Sequence, residues 1–498
     1  MKRYLFTVLS ACLGLISSVS AAKPNIIFIL ADDLGYGDVQ CLNPEQGKIA
    51  TPHMDQLAAQ GMMFTDAHTS SSVCTPTRYG ILTGRYNWRS RMQSGVLFGF
   101  DQPLIAPDRL TVAGVLKEQG YKTAMVGKWH LGLGLRNPDG KPTKGKMAQV
   151  NGVDWSARIT GGPVDLGFDY WYGIAASLDM PPYIYIENDR FIGECTTMKA
   201  FHRNGPAHAD FEAVDVLPEI GRKSAEYIQQ QKADQPFFMY IPLTSPHAPI
   251  VPTDEWKGKS ELGTYGDFVM NTDAVVGQIV DAVDAAGLAD NTLIIVTSDN
   301  GCSKVADIPA LKAQGHYPNA NFRGSKSDIW DGGHRVPFIV RWPATVQPGS
   351  SSSEIICTTD LMATCAELSG SKLPENAGED SVSFAPAFKG ESIVSTRKGV
   401  IHHSVSGQFA YREGKWKLLL TKGSGGWTKE PMSDNSPAQL YDMEADPREQ
   451  NNLYSTHPEV VDRLLAQLES DVNRGRSTAG QKQSNDVKSV NFKRSFKK

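Results

Sequence analysis

Cys74 lies four residues ahead of Arg78 in "SSVCTPTRYGILTGR" (71–85). The residues after Cys74 suit the start of a helix. A helix N-terminus presents free N–H groups and the positive end of its dipole, so it attracts anions. One turn on, Arg78 shares the face of Cys74 and adds a fixed positive charge. A potential nucleophile, a cation and an anion-binding helix end then stand together. Taken alone, the cysteine would read as a small buried hydrophobe or half of a disulfide. Two acidic groupings supply the context. "NIIFIL" runs on into Asp32 and Asp33, and "LIIVTSDNG" runs into Asp299 and Asn300. Three carboxylates and an amide converging on one place repel each other unless a cation joins them. An all-oxygen donor set suits a hard ion such as Ca²⁺ or Mg²⁺ rather than zinc. Singly, each pair could equally cap a helix or line a turn.

The elements that must position these groups are legible as alternating strands and helices. "NIIFIL" (25–30) is a continuous apolar run rich in isoleucine, as expected of a strand buried on both faces of a parallel sheet. "TPHMDQLAAQG" follows as a helix with Thr51 as N-cap, Pro52 in the first turn and Gly61 as its stop. "LTVAGVLKEQGY" reads as a helix ending at Gly120, then "KTAMVGK" and "QPFFMYIPL" as strands. In "YGDFVMNTDAVVGQIVDAVDAAGL" the residues Phe268, Val269, Thr272, Val275, Val276, Ile279, Val280 and Val283 share one helical face. "NTLIIVTSDNG" is a second apolar strand. This alternation predicts an α/β domain with a large, mostly parallel sheet sandwiched by helices. In open sheets of this kind, ligands bind beyond the carboxyl ends of the strands.

After about Leu373 the pattern changes to short antiparallel strands and one helix, "HPEVVDRLLAQLESDV". The expected organisation is a signal peptide over 1–22, a catalytic α/β domain over 23–373, a smaller α+β subdomain over 374–475, and a basic, flexible tail over 476–498. Lys2 and Arg3, the apolar run "YLFTVLSACLGLI" and the small residues of "SSVSAA" carry the export reading, periplasmic or secreted. "LSAC" is similar to a lipoprotein cleavage box that would lipidate Cys12. The apolar run continues past Cys12, which favours simple export. The 498 residues carry a net charge of only -4, which gives no case for nucleic acid as a partner. Six cysteines remain after residue 22, and their pairing is not readable from one sequence.

"CTPTRYGILTGR" resembles the signature of the type I sulfatases, members of the alkaline phosphatase superfamily, with Cys74, Pro76, Arg78, Leu82, Thr83 and Gly84 in place. Thr77 departs from the commoner serine. The resemblance continues through "PNIIFILADDLGYGD", "GYKTAMVGKWHLG", "PHAP", "TSDNG", "GSKSDIWDGGHRVPFIVRWP" and "LYDMEADPREQNNL", in the family's order along the chain. It implies that Cys74 is oxidised by a maturing enzyme to Cα-formylglycine (3-oxoalanine), whose aldehyde hydrates to a diol. One diol oxygen would attack sulfur in line, and the second hydroxyl would then expel sulfate as the aldehyde re-forms. By the same resemblance, Asp32, Asp33, Asp299 and Asn300 match the ligands of one Ca²⁺, with the Cys74 diol as a further ligand. Arg78 matches the residue that steadies the diol. Lys128 matches a sulfate-binding lysine, and His130 the histidine that takes the diol proton. His247 and Lys326 match groups that bind sulfate and protonate the leaving oxygen. Ser177 in "GIAASLD" matches a serine near the sulfate, and His334 and Arg335 are expected at the pocket rim.

"TGRYNWRSR" and "TYGDFVMNTDAVVGQIV" are similar to the branch that includes N-acetylgalactosamine-6-sulfatase. That implies a sulfated sugar or polysaccharide as substrate, with a galactose-type unit sulfated at O6. Substrate contacts are expected in "GRYNWRSRMQSGV", in "NGVDWSARITGGP" and around His202 and His208. Two other functions fit the same residues. One is a phosphate or phosphonate monoester hydrolase of the same superfamily. The other is a non-catalytic binder of sulfated glycans.

Overall fold

The computed structural model describes residues 23–145, 149–430 and 434–496. The signal-peptide reading and the alternative at Cys12 lie outside the described residues. The central strand is Asn25–Asp32, every residue of it buried. It pairs in parallel with Thr292–Ser298 on one side and Phe237–Pro246 on the other. Lys122–Lys128 and then Tyr170–Ile174 continue the parallel order outward. Antiparallel strands extend both edges, Phe338–Arg341 beside Thr292–Ser298 and Ile186–Glu187 beside Tyr170–Ile174, to make ten strands in all.

The period of two along the central strand divides the core. Ile26, Phe28 and Leu30 pack to one side with Tyr79, Ile81, Leu82, Val115 and Leu116. Ile27, Ile29 and Ala31 pack to the other, against Val216, Leu217 and Ile220 of the helix Ala213–Gln229 and Val276, Ile279 and Val283 of Gly263–Ala285. Each such isoleucine or phenylalanine, fully buried, contributes about 1.5–3 kcal/mol. Two-sided burial of that kind anchors the strand ends against the repulsion of the acidic residues they carry. Among the described residues no helix is long and apolar enough to cross a membrane.

Four antiparallel strands, Val400–His403, Phe409–Glu413, Trp416–Leu419 and Gln439–Asp442, form a second sheet. The helix Pro458–Asn473 covers it with Val461, Leu464, Leu465, Leu468 and Val472. Tyr86 and Trp88, just past the cysteine signature, are buried in this same cluster. Ala377, Phe384 and Phe388 instead pack into the core of the large sheet, so the second core begins at the Val400 strand.

The closing segment departs from the expected flexible tail. Phe492 and Phe496 are buried in the second core. Asp486 makes an ion pair with Arg85 at 3.0 Å, and Asn485 accepts from Arg89 at 3.1 Å. Both arginines are fully buried, and without these partners they would lose part of their hydrogen bonding. Basic composition alone hid the two phenylalanines that hold the segment down.

Candidate active site

Four neighbouring parallel strands end on one side of the sheet, and each delivers a group there. Asn25–Asp32 delivers Asp32 and Asp33, Thr292–Ser298 delivers Asp299 and Asn300, Phe237–Pro246 delivers His247, and Lys122–Lys128 delivers Lys128 and His130. The helix Cys74–Thr83 points its first residue at the same place and is buried along its whole length. It stops at Gly84, whose φ of 59° suits a residue without a side chain. A Cβ there would also lie 2.9 Å from the Gly378 backbone and the Met362 side chain.

The charges are arranged in pairs. Lys128 Nζ donates to Asp32 at 2.6 Å, and Lys326 Nζ lies 2.6 Å from Asp33. Arg78 donates from Nε and Nη2 to one oxygen of Asp299, at 3.0 and 2.8 Å. Three carboxylates thus face three cations, all buried. Burial opposes charge on Asp32, but Lys128, His247 and Arg78 hold it well below the usual carboxylate range. Burial and the neighbouring Asp32 push Asp299 up to about 6. Burial works against the Lys326 ammonium too, yet Asp33 holds its pKa above the ordinary lysine value.

The donor set fits a hard dication. Asp32, Asp33, Asp299 and Asn300 offer only oxygen, and Asn300 Oδ1 is buried without a hydrogen-bond partner while its Nδ2 donates to Asp33 at 2.8 Å. An orphaned buried carbonyl oxygen is costly unless something positive meets it. A dication added to three balanced pairs would leave a net positive site suited to an anionic ligand. Cys74 is the chemical misfit. Its Sγ lies 3.7 Å from Asp32 Oδ1, a soft sulfur among hard oxygens. Burial pushes this thiol up to about 12, so it is not a thiolate near neutral pH.

His130 is held in one tautomer. Its Nε2 lies 2.8 Å from Leu97 O, which can only accept, so the proton sits on Nε2. Burial, then Lys128 and Arg78, pushes its pKa well below the ordinary value, which leaves the ring neutral. Nδ1 is then a bare lone pair, buried and unpartnered. Thr75 was not singled out from sequence, yet its hydroxyl donates to His130 O at 3.0 Å and accepts from Leu97 N at 3.2 Å. It ties the helix start to His130 and to its carbonyl partner. The only available signal was a hydroxyl residue beside the cysteine. Thr77 donates to Ser71 O at 2.9 Å, a hydrogen bond that a serine hydroxyl could also supply. Ser177 follows the next strand over, Tyr170–Ile174, and its Oγ is buried without a partner. His247 Nε2 stands 3.8 Å from Asp33, and His247 and Lys326 are slightly open to solvent, at 7% and 5%.

His334 is not at a pocket rim. The short helix Asp331–His334 turns His334 inward, fully buried, where it stacks on His402 with 3.9 Å between ring centres. Arg335 pairs with Asp66 and Asp331, both at 3.3 Å. A chain of hydrogen bonds runs through this cluster. His68 Nε2 meets Asp66 at 2.6 Å, His68 Nδ1 meets His334 Nδ1 at 3.0 Å, and Lys417 Nζ meets His334 Nε2 at 3.1 Å. His334 Nε2 also lies 3.1 Å from Ile329 O, so the ring is held between the Lys417 ammonium, the Ile329 carbonyl and His68. His68, His334 and His402 approach closely enough to suggest a metal centre. The His334 and His402 rings lie 11° from parallel, so an ion in the plane of one ring is far from the plane of the other. The cluster is therefore read as a hydrogen-bonded brace. It holds the loop before Cys74: Thr69 N donates to His334 O at 2.8 Å and Ser72 N to His403 O at 3.0 Å.

Two residues from the stretches expected to contact substrate, Arg89 and Trp155, are held by the fold. Arg89 grips Asp380 through two bonds of 2.8 Å and lies 4.3 Å over Trp88. Trp155 packs edge-on against Phe191. All six cysteines among the described residues are free thiols.

His403 gives a testable pH dependence. Burial lowers its pKa from 6.5 to about 4. The unfolded chain therefore takes up a proton in that window while the folded one does not, so stability falls as pH drops from 6.5 toward 4. His403→Gln, which removes the titration and keeps the backbone carbonyl, is expected to flatten the fall by up to about 1.4 kcal/mol per pH unit. Denaturant titrations of both proteins at several pH values check this, and parallel profiles would refute it.

The sulfatase family model matches residues 24–371, and the model for the C-terminal part of N-sulphoglucosamine sulphohydrolase matches 325–477. The chain is 35% identical to an N-acetylgalactosamine-6-O-sulfatase of Bacteroides thetaiotaomicron, over 91% of this chain and 93% of that one. It is 32% identical to human arylsulfatase A, over 94% and 93%. A solved structure, described as a 6S-sulf in the metabolism of multiple glycosaminoglycans by Bacteroides thetaiotaomicron, superposes with a TM-score of 0.77 at 32% identity, covering 90% of this chain and 99% of that one. The chain belongs to the sulfatase family and is a sulfuric ester hydrolase.

Proposed function

We propose that this sulfatase is exported and removes 6-O-sulfate from galactose-type units of a sulfated glycan. In this reading Cys74 acts after a maturing enzyme has converted it to Cα-formylglycine, and one Ca²⁺ is held by Asp32, Asp33, Asp299 and Asn300. The observation that carries it is the convergence of four strand ends and one helix start on Cys74. The substrate class is supported by the similarity to an N-acetylgalactosamine-6-O-sulfatase. The carboxylate oxygens beside Cys74 support the modification, because an oxygen there suits a hard cation where sulfur does not.

The hydrated aldehyde supplies an oxygen nucleophile and a second hydroxyl on the same carbon. A Ca²⁺ held by Asp32, Asp33, Asp299 and Asn300 would supply positive charge toward the sulfate oxygens and the nucleophile. The chain's own residues do the rest. Lys128 and Lys326 surround the anion with fixed ammonium charge in a nearly dry pocket, where such charge is worth most. Arg78 locks Asp299 and the helix start together. His130 Nδ1, bare and unpartnered, accepts the proton of the hydroxyl that remains after transfer. His247, at the solvent side, is placed to protonate the leaving sugar oxygen.

The test is a panel of N-acetylgalactosamine and galactose esters: 6-sulfate, 4-sulfate and 6-phosphate. The expected preference for the 6-sulfate, in kcat/KM, is about 10²-fold or more over each alternative, as a site built to bond specific groups allows. Preference for the phosphate ester would overturn the sulfatase assignment of this pocket in favour of phosphoester hydrolysis. Preference for the 4-sulfate would overturn the assigned position alone.

A further inference from the structure

Trp427 is one of few large apolar side chains left open, 41% exposed, and its position is held closely. Its backbone N–H donates to Ser327 Oγ at 2.9 Å, and Ser327 adjoins Lys326. Gly426 permits this approach, since a Cβ there would lie 2.4 Å from Ser327 O and 2.5 Å from Asp328 Oδ1. Thr428 N donates to Asp328 Oδ1 at 3.1 Å, and Ile329 N to Ser424 O at 2.7 Å. The loop is thus pinned on both sides of the tryptophan. Lys304 comes from the other wall. It follows Asn300 by four residues, and its Nζ lies 5.3 Å from the Trp427 ring centre. The two walls are joined where Lys326 N donates to Cys302 O at 2.9 Å.

An exposed indole fixed by its backbone costs little ordering when a ligand arrives. A pyranose ring offers a face of C–H groups that suits an aromatic plane, whereas a simple solvated surface loop needs no tryptophan. Lys304 lies near the outer limit of a cation–π contact, and no carboxylate pairs with it among the described residues. It is available to a sulfate or carboxylate on the glycan.

We propose that Trp427 and Lys304 form a glycan subsite beside the sulfate pocket: Trp427 stacks on a pyranose ring of the substrate and Lys304 meets an anionic group on the same chain. This rests on the carbohydrate reading above and extends it to one residue from a loop of the second sheet, Trp427, and one from the large sheet's side, Lys304. It predicts preference for an oligosaccharide over a small sulfate ester.

The experiment compares wild type, Trp427→Ala, Trp427→Phe and Lys304→Gln on 4-nitrophenyl sulfate and on a tetrasaccharide bearing 6-O-sulfated N-acetylgalactosamine. Trp427→Ala is expected to raise KM for the tetrasaccharide about tenfold more than for the aryl ester, the scale of losing one aromatic anchor. Trp427→Phe recovers most of the loss. Lys304→Gln raises the tetrasaccharide KM at low salt, and the difference closes at high salt. A Trp427→Ala variant that shifts both substrates alike, or neither, overturns the subsite while the sulfatase reading stands. A wild type that cleaves the aryl ester and no sulfated saccharide overturns the carbohydrate reading, and the subsite with it.

Discussion

Cys74→Ala is expected to lower kcat/KM for every sulfate ester by at least about 10⁴-fold, the scale seen when a covalent nucleophile is removed. The side chain is small and buried at a helix start whose other bonds come from Thr75, Thr77 and Arg78. The variant should therefore fold, and circular dichroism and thermal melting confirm that before activity is read. Cys74→Ser is the informative companion. A hydroxyl also suits the oxygen surroundings, but it offers one oxygen on its carbon where a hydrated aldehyde offers two. Its product-release step then lacks the proton that His130 is placed to take, so any turnover should stop after one sulfate transfer. Peptide mass spectrometry over Ser71–Arg78 of the wild type should show aldehyde in place of thiol. A Cys74→Ala variant within tenfold of wild type would sink the mechanism, as would an unmodified thiol in a fully active preparation.

The pattern of apolar strands ending in acidic residues made Asp32, Asp33, Asp299 and Asn300 legible, because both signals are local. A strand's burial shows in its run of isoleucines, and its end shows where they stop. Lys128, His130, His247 and Lys326 were legible only through the family's motif order, since a lone lysine or histidine carries no local mark of its burial. His334 shows the limit. Its neighbours in "WDGGHRVP" suggested a pocket rim, but a four-residue helix turns its ring into the interface between the two sheets. The tail failed for a related reason. Its net charge is visible in sequence, whereas the fit of Phe492 and Phe496 against Phe409 and the Pro458–Asn473 helix is a tertiary fact. Trp427 sits in a stretch rich in glycine and serine that carries no periodic signal, and tertiary contacts with Ser327, Asp328 and Ile329 place it near Lys326.

The brace behind the cysteine loop yields the largest stability effect. Lys417 Nζ is fully buried and donates to Asp331 at 2.7 Å, to Glu449 at 2.7 Å and to His334 at 3.1 Å, which uses all three of its protons. Burial tends to neutralise Asp331, but Lys417, then His68 and His334, hold it well below the carboxylate range. Glu449 meets the same lysine from the other side, and burial pushes it up to about 7. Lys417→Ala removes the ammonium shared by two buried acids, leaving Asp331 only Arg335 at 3.3 Å. The expected cost is about 3–5 kcal/mol, the range for breaking a buried pair by taking one partner. Glu449→Gln should cost less, because Lys417 keeps Asp331 and the amide oxygen still accepts. Denaturant unfolding at pH 7 measures both. A Lys417→Ala loss below about 1 kcal/mol, within the range of an exposed pair, would refute the brace. The same lysine orients His334, whose carbonyl holds Thr69, five residues before Cys74. Lys417→Ala should therefore lower kcat at temperatures where the fold survives, more than Glu449→Gln does at equal remaining stability. Equal activities in the two variants would confine the brace to folding and remove it from the positioning of Cys74.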